Sequence, residues 1–255
     1  MIRWGPERAR TRPWRGDEKV AFLHPVPEGP LPSAAFVRRC LDVLAEQGFS
    51  RVVTGALSPR EMSGFLDAGF GVEEELHLLS HDLRHLPERA ESGIRGPERP
   101  ADMRLRRARR DEWPQVLTVD ASAFPPFWRL DGRGLSDAVC ATPRAHFQVA
   151  VRTDGPLVTR GGPTRPPSLI LGYCVMGRSG RSGFLQRLAV DPAEQGQHLG
   201  SALVIDGLRW LRRWRADNVV VNTQHGNTAA LALYERVGFR RQPVGLSVLS
   251  AGIDS

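Results

Sequence analysis

The run FLQRLAVDPAEQGQHLGSALVIDGLRWLRRW, which begins at Phe184, leaves its backbone few options. Apolar residues over 184–190 predict a strand, and Pro192, which has no N–H to give to a ladder, stops it. A polar turn over 193–198 follows. From Leu199 the apolar positions Leu203, Val204, Leu208 and Leu211 recur at helical spacing, so a helix is expected over 199–214. The first turn of a helix carries unpaired N–H donors and the positive end of the dipole, so this strand, turn and helix aim donors at one point. Gly196 and Gly200 let a bound group approach the backbone closely, and a pyrophosphate would be held there without a lysine.

The elements around this run follow from the same periodicities. Upstream, a strand is expected over 103–108, helices over 111–124 and 134–141, and strands over 146–152 and 169–177. Downstream, a Val-rich strand over 218–223 and a helix over 228–237 ended by Gly238 precede a last strand. The charged, Pro- and Gly-containing stretch 87–101 reads as a linker, giving a first unit over 1–90, a linker over 91–101 and a second unit over 102–255. A second Gly/Pro-rich stretch, 153–168, reads as a long hairpin loop.

The first unit reads as a shortened copy of the second unit's C-terminal half: strand 19–25, helix 33–47, strand 51–57, helix 59–68, strand 74–79. In both halves a helix ends in Gly-Phe, as Phe65-Leu66-Asp67-Ala68-Gly69-Phe70 and as Tyr234-Glu235-Arg236-Val237-Gly238-Phe239.

Residues 184–239 resemble the GCN5-related N-acetyltransferase (GNAT) superfamily. The family's cofactor loop, Gln/Arg-X-X-Gly-X-Gly/Ala, maps onto Gln195-Gly196-Gln197-His198-Leu199-Gly200, with His198 where the family has glycine. Its Leu-X-Val-X-Pro strand matches Leu188-Ala189-Val190-Asp191-Pro192, and its Asn-X-X-Ala-X-X-X-Tyr-X-X-X-Gly-Phe matches Asn227, Ala230, Tyr234, Gly238 and Phe239. The resemblance implies an α/β fold in which helices flank a mixed, mostly antiparallel twisted sheet, preceded here by a truncated unit of the same kind. It implies acetyl-CoA as donor and a primary amine, on a protein N-terminus or a small molecule, as acceptor. Leu188, Ala189, Val190, Gln195, Gly196, Gln197, His198, Leu199, Gly200, Ser201, Asn227, Ala230 and Tyr234 would hold the cofactor, and Tyr234 would protonate the departing sulfur. Phe127, Trp128 and Asp131 are the expected acceptor-site residues. The family's strand carboxylate is missing from Phe184-Leu185-Gln186-Arg187-Leu188, which also keeps open a non-catalytic CoA-binding or regulatory module. In the first unit Phe65 replaces Tyr234 and offers no acidic hydroxyl, while prolines over 25–33 remove N–H donors, so one active site per chain is expected.

Composition narrows the rest. Cys40, Cys140 and Cys174 are odd in number and far apart, which suits reduced core thiols. His77, His81 and His85 would form a metal ladder only on a helix, and that stretch reads as a strand, so no metal is expected. The formal net charge of +7 comes with a single lysine, Lys19, and without aromatic residues interleaved on a basic face, so a nucleic-acid partner is not expected. No secretory signal or membrane span is visible, and a cytoplasmic monomer or homodimer is the expectation.

Overall fold

The computed structural model describes residues 1–26, 29–85, 103–152 and 169–253; the expected linker and the expected loop over 153–168 lie outside them. In chain order the strands are β1 (Ile2–Trp4), β2 (Glu7–Trp14), β3 (Asp17–Pro25), β4 (Arg51–Thr54), β5 (Gly71–Asp82), β6 (Met103–Arg107), β7 (Arg144–Arg152), β8 (Ile170–Ser179), β9 (Ser182–Val190), β10 (Asn218–Gln224), β11 (Arg240–Arg241) and β12 (Leu246–Gly252). The helices are α1 (Ala34–Glu46), α2 (Pro59–Leu66), α3 (Trp113–Ala123), α4 (Gly132–Cys140), α5 (Leu199–Arg213) and α6 (Thr228–Arg236).

Two compact units form: Met1–Leu79 with Asn222–Leu231 and Arg241–Ser255, and Ser80–Val221 with Ala232–Arg240. In the first, strands run in the order β1-β2-β3-β4-β12-β5, antiparallel except for β3 and β4. The C-terminal strand β12 is thus paired inside the unit that begins the chain. The core of this unit gathers Leu23, Phe36, Val37, Leu44, Leu57, Phe65 and Leu249. Its β1 and β2 were not anticipated, because Arg8 and Arg10 interrupt any apolar alternation and only Ala9 and Trp14 of β2 are buried.

The second unit orders its strands β10-β9-β8-β7-β6, antiparallel except for β9 and β10. Its sheet carries α3 on one face, where Val116 and Val119 meet Phe147, Val149, Tyr173, Val175 and Ala189. On the other face lies α5, held so close that a side chain at Gly207 would come within 2.5 Å of Met176.

The register between β8 and β9 slips by one residue: Val175 faces Arg187, yet Met176 faces Leu185. Gln186 is therefore an extra residue in β9, a β-bulge, and it changes which face each later side chain meets. Leu185 pairs with Met176 on the α5 face, whereas Arg187 pairs with Val175 on the α3 face. A regular strand would put Leu185 and Arg187 on the same side.

Helix ends repeat between the units. At the end of α6, Phe239 N–H donates to Tyr234 C=O (2.9 Å), Gly238 N–H to Glu235 C=O (3.0 Å), and Gly238 has φ +99°. At the end of α2, Phe70 donates to Phe65 C=O (3.1 Å), Gly69 to Leu66 C=O (3.0 Å), and Gly69 has φ +95°. Both are Schellman endings, and the Gly-Phe match in sequence marks one backbone geometry. The rings agree as well: Phe65 and Phe70 lie 5.2 Å apart, Tyr234 and Phe239 5.7 Å.

Candidate active site

After β9, the Asp191 carboxylate accepts Ala193 N–H (3.0 Å) and Gln195 Nε2 donates back to Val190 C=O (3.2 Å), so the turn is braced by its own side chains. Glu194 is fixed by Arg152 (2.8 Å) and accepts from Gln197 Nε2 (3.3 Å). Gly196 takes φ +80° and His198 φ +59°, both left-handed, and α5 starts at Leu199. The missing glycine is thus felt at His198: the backbone there takes the conformation glycine favours, and an exposed histidine adopts it.

The N–H groups of Gly196, Gln197, His198, Leu199, Gly200 and Ser201 donate to no described residue; the first bond of α5 runs from Ala202 N–H to His198 C=O (3.0 Å). Donors at a helix start are satisfied by side chains, water or a ligand, and six in a row without a described partner, at the positive end of the helix dipole, suit an anion. Gly200 has a further role. A Cβ there would lie 2.6 Å from Leu233 Cδ1, so glycine lets α5 approach α6 closely.

The edge of β9 beyond the bulge is the second feature. Pairing with β10 covers only Ser182, Gly183 and Phe184, leaving one edge of Leu185–Val190 unpaired with β10. Alternate residues of a strand turn their main-chain groups to opposite edges, and Asp191 N–H donates to Leu171 C=O on the β8 side. Leu188 and Val190 therefore carry the groups on the edge away from β8, where the Val190 C=O accepts Gln195 Nε2.

Tyr234 sits on α6, 5% exposed, and its hydroxyl makes no hydrogen bond to a described residue. Burial pushes the phenol above its usual range, Cys174 adds to this, and the positive charge of Arg187 opposes it. The phenol therefore stays protonated at neutral pH, as a proton donor must. The chain's other tyrosine, Tyr173, is committed elsewhere: its hydroxyl donates to Asp120 Oδ2 (2.5 Å) in the core. Asn227 accepts Ala230 N–H through Oδ1 (3.1 Å), so it caps α6, and Ala230 lies in the capped turn.

The expected acceptor residues fall between α3 and α4. Phe127 and Trp128 form an edge-on pair with ring centres 5.0 Å apart, and Asp131 caps α4 by accepting Gly134 N–H (2.6 Å). Asp120 and Arg187, which the sequence reading left out, tie this segment down. Fully buried Asp120 accepts Arg187 Nε (2.7 Å) and Nη2 (2.9 Å) and Leu130 N–H (2.7 Å) besides the Tyr173 hydroxyl. Arg187 also donates to Trp128 C=O (2.7 Å) and stacks 3.5 Å over the Phe124 ring. An aspartate following apolar Val116 and Val119 on α3, and an arginine inside an apolar strand, were the available signals.

Residues 113–239 match the family described as the Acetyltransferase (GNAT) family. The chain carries a GNAT acetyltransferase domain. A mycothiol acetyltransferase of Salinispora tropica is 48% identical over 64 residues, 25% of this chain and 21% of that protein. One of Thermobispora bispora is 43% identical over 68 residues, 27% and 23% of the two chains. The matched stretch thus spans little more than a fifth of each relative. Among solved structures, a tandem GNAT protein from the clavulanic acid biosynthesis pathway superposes with a TM-score of 0.67 at 13% identity, covering 93% of this chain and 76% of its own. A GNAT protein of Sphaerobacter thermophilus gives 0.62 at 14%, covering 98% and 78%. The tandem neighbour fits the extra N-terminal unit as a second, shortened GNAT-like repeat.

That repeat differs at the corresponding helix start. Ser33 caps α1 through Phe36 N–H (3.2 Å), and the Glu7 carboxylate accepts both Ser33 N–H (2.6 Å) and Ser33 Oγ–H (3.1 Å). An anion of the protein's own already occupies the place where the GNAT domain leaves donors free. Among the described residues no group of histidines, cysteines and carboxylates is arranged to hold a metal, and no helix is long and apolar enough to cross a membrane. His77 stacks on His225 at 4.0 Å, whereas His81 packs against Phe239. Cys40 and Cys174 are buried as expected, but Cys140, at the end of α4, is exposed. Around β6, Arg106 (2.5 Å) and Arg109 (3.0 Å) bind the buried Glu112.

Proposed function

We propose that residues 102–255 provide an N-acetyltransferase that moves the acetyl group of acetyl-CoA to a primary amine by direct attack in a ternary complex, residues 1–90 serving as a truncated repeat without a site of its own. The observation that carries this reading is the row of six N–H groups from Gly196 to Ser201 that have no partner among the described residues, in the same unit as a phenol that makes no hydrogen bond to a described residue. A pyrophosphate fits those donors. The free edge of β9 at Leu188 and Val190 suits the amides of a pantetheine arm, and Gln195, Gln197 and His198 line the turn. Acetyl-CoA supplies an activated thioester.

The chain's residues do the remainder. The neutral amine nitrogen attacks the thioester carbonyl, the carbon–sulfur bond breaks, and Tyr234 gives its proton to the departing sulfur. The amine loses a proton to water, and the phenol is restored from solvent. Such proton delivery is worth about 10²–10⁴ in rate, or roughly 3–5 kcal/mol of barrier. Tyr234→Phe should lower kcat by about that factor while the dissociation constant of CoA, measured by calorimetry, stays within about threefold. An unchanged kcat removes Tyr234 from the mechanism.

A non-catalytic CoA-binding module is the second reading, favoured by one observation: the carboxylate nearest Arg187 on β9 is saturated with hydrogen bonds and cannot act as a base. Tight CoA binding with no thiol released across a broad amine panel would establish that reading.

A further inference from the structure

No aromatic-interleaved basic face is expected from the sequence, yet the pairing of β2 with β3 builds one in the first unit. The core of that unit lies to one side of its sheet, where Ala9, Ala21 and Leu23 meet Phe36 and Val37 of α1 and Phe65 of α2. Side chains alternate along a strand, so Arg8, Arg10 and Arg12 of β2 and Phe22 and His24 of β3 point away from these helices. The register fixes their neighbours: Arg3 lies opposite Arg8, Arg10 opposite His24 and Arg12 opposite Phe22. The rings form a row, Trp14 with Phe22 and Phe22 with His24, each pair stacked with centres 6.0 Å apart, and the Arg12 guanidinium lies 4.8 Å over Phe22. Burial pushes the His24 imidazole below the usual histidine range, opposed by Glu61 and aided by Arg10, so at neutral pH it serves as a ring and not as a charge.

Three of the arginines lack an acid. Arg3, Arg8 and Arg10 are exposed and form no ion pair with a described residue, although Arg3 Nε donates to Met1 Sδ (3.4 Å). Like charges directly opposite each other on a sheet are destabilising, and Arg3 faces Arg8. The carboxylate that alternation adds to this face of β3 is Glu18, exposed at the hairpin end. The face is therefore strongly basic, and a bound polyanion would relieve the repulsion between Arg3 and Arg8.

We propose that this outer face of β1–β3 binds a single-stranded nucleic acid, its phosphates held by Arg3, Arg8 and Arg10, an inference independent of the acetyltransferase reading. Alternate residues of a strand are about 6.6–6.8 Å apart, so Arg8, Arg10 and Arg12 leave β2 as an evenly spaced series that suits the repeated charge of a phosphate backbone. Guanidinium groups bind phosphate oxygens as two-pronged forks. The half-buried Phe22 and His24 rings between them suit the flat bases of an unpaired strand. An acidic protein surface presents carboxylates at irregular spacing and gains nothing from such a series.

The test uses the full chain and a fluorescein-labelled 15-residue oligouridylate, with anisotropy read from 50 to 200 mM salt and excess CoA present to compete for the donors of α5. Three phosphate contacts give a slope of about −2.1 in log K against log salt, so binding should weaken about 20-fold over that range. Arg3→Ala, Arg8→Ala and Arg10→Ala together should flatten the slope toward zero and weaken binding at 50 mM salt at least about tenfold. The triple variant should melt at the same temperature as the unaltered chain or above it, since the Arg3–Arg8 repulsion is gone, and any shift caused by CoA should be the same in both. No binding of the oligouridylate at 50 mM salt overturns the proposal, and so does binding that persists in the folded triple variant with its slope unchanged. Equal or tighter binding of a 15-residue polyglutamate assigns the face to an acidic protein, and equal or tighter binding of phosphatidylserine vesicles assigns it to a membrane surface. Either result overturns the nucleic-acid assignment.

Discussion

Replacing His198 by glycine should make the protein more stable. The residue stands at φ +59°, ψ 10° at the entrance to α5, with its side chain exposed, so the substitution removes little packing. A non-glycine residue in the left-handed region costs about 1–2 kcal/mol from crowding of Cβ against the following carbonyl. Glycine returns part of that, about 0.5–1 kcal/mol, through the greater freedom of the unfolded chain. The net expectation is a gain of about 0.5–1 kcal/mol, and at about 2–4 °C per kcal/mol for a chain of this size the melting temperature should rise by about 1–4 °C. Arg215, at φ +58° after α5 and also exposed, is the internal control: Arg215→Gly should gain by the same reasoning. His198→Ala should lose stability, because alanine keeps the crowding and histidine is among the residues that tolerate positive φ best. Differential scanning calorimetry of the three variants without ligand gives the ranking directly. If His198→Gly melts at or below the unaltered protein while Arg215→Gly gains, the strain argument fails at the loop and the imidazole has a stabilising contact.

Other perturbations test the rest of the site. Asp120→Ala leaves a buried guanidinium without its partner and should cost about 3–5 kcal/mol in urea unfolding; a loss under about 1 kcal/mol would mean that water replaces the carboxylate. Glu112, held below the usual carboxylate range chiefly by its hydrogen bond from Arg106, contributes stability that is fully present above its unfolded pKa and is lost as pH falls through its folded value. Glu112→Gln should therefore be less stable than the unaltered chain at pH 7, with the difference closing below about pH 4, and parallel curves down to pH 2 would contradict this. Burial lifts the Cys40 thiol to about 12, so at pH 8 a thiol reagent should modify Cys140 first and reach Cys40 only after unfolding. Rapid labelling of Cys40 in the folded chain, read by mass spectrometry, would show that its core opens.

Local chemistry was legible in the sequence, and long-range chemistry was not. Pro192, Gly196 and the apolar spacing of α5 each restrict their own backbone, so the strand, turn and helix of the loop could be placed without knowing their neighbours. The Gly-Phe endings were readable for the same reason, since a Schellman motif is set within six residues. The Asp120–Arg187–Tyr173 network joins residues 53 and 67 positions apart, and it depends on one extra residue in β9. Strict alternation assigns Arg187 to the face of Leu185, and only the bulge corrects it. The β1–β2 hairpin was missed on different grounds: its exposed face carries Arg3, Arg8 and Arg10, and the turn into β3 uses Arg15 and Gly16, both at positive φ. A two-residue turn of that kind is usually announced by Asn-Gly or Asp-Gly, and here arginine takes the first place.

The two units answer one physical problem in opposite ways. Every helix start leaves backbone donors that the chain itself, water or a ligand must satisfy. At α1 the chain supplies the answer itself, through the Ser33 hydroxyl and the Glu7 carboxylate. At α5 the N-cap position is His198, whose side chain caps nothing, and the donors from Gly196 to Ser201 stay open. Placing a carboxylate at the second start should close it as Glu7 closes the first. His198→Asp, whose side chain can accept from the N–H groups of Gly200 or Ser201, should stabilise the ligand-free chain by about 0.5–2 kcal/mol through capping and the helix dipole. It should also weaken CoA at least about tenfold, because an internal anion then competes with the pyrophosphate and repels it. Calorimetric titration of CoA into this variant separates the two ideas: undiminished affinity would mean that the open donors of α5 are not where the diphosphate sits.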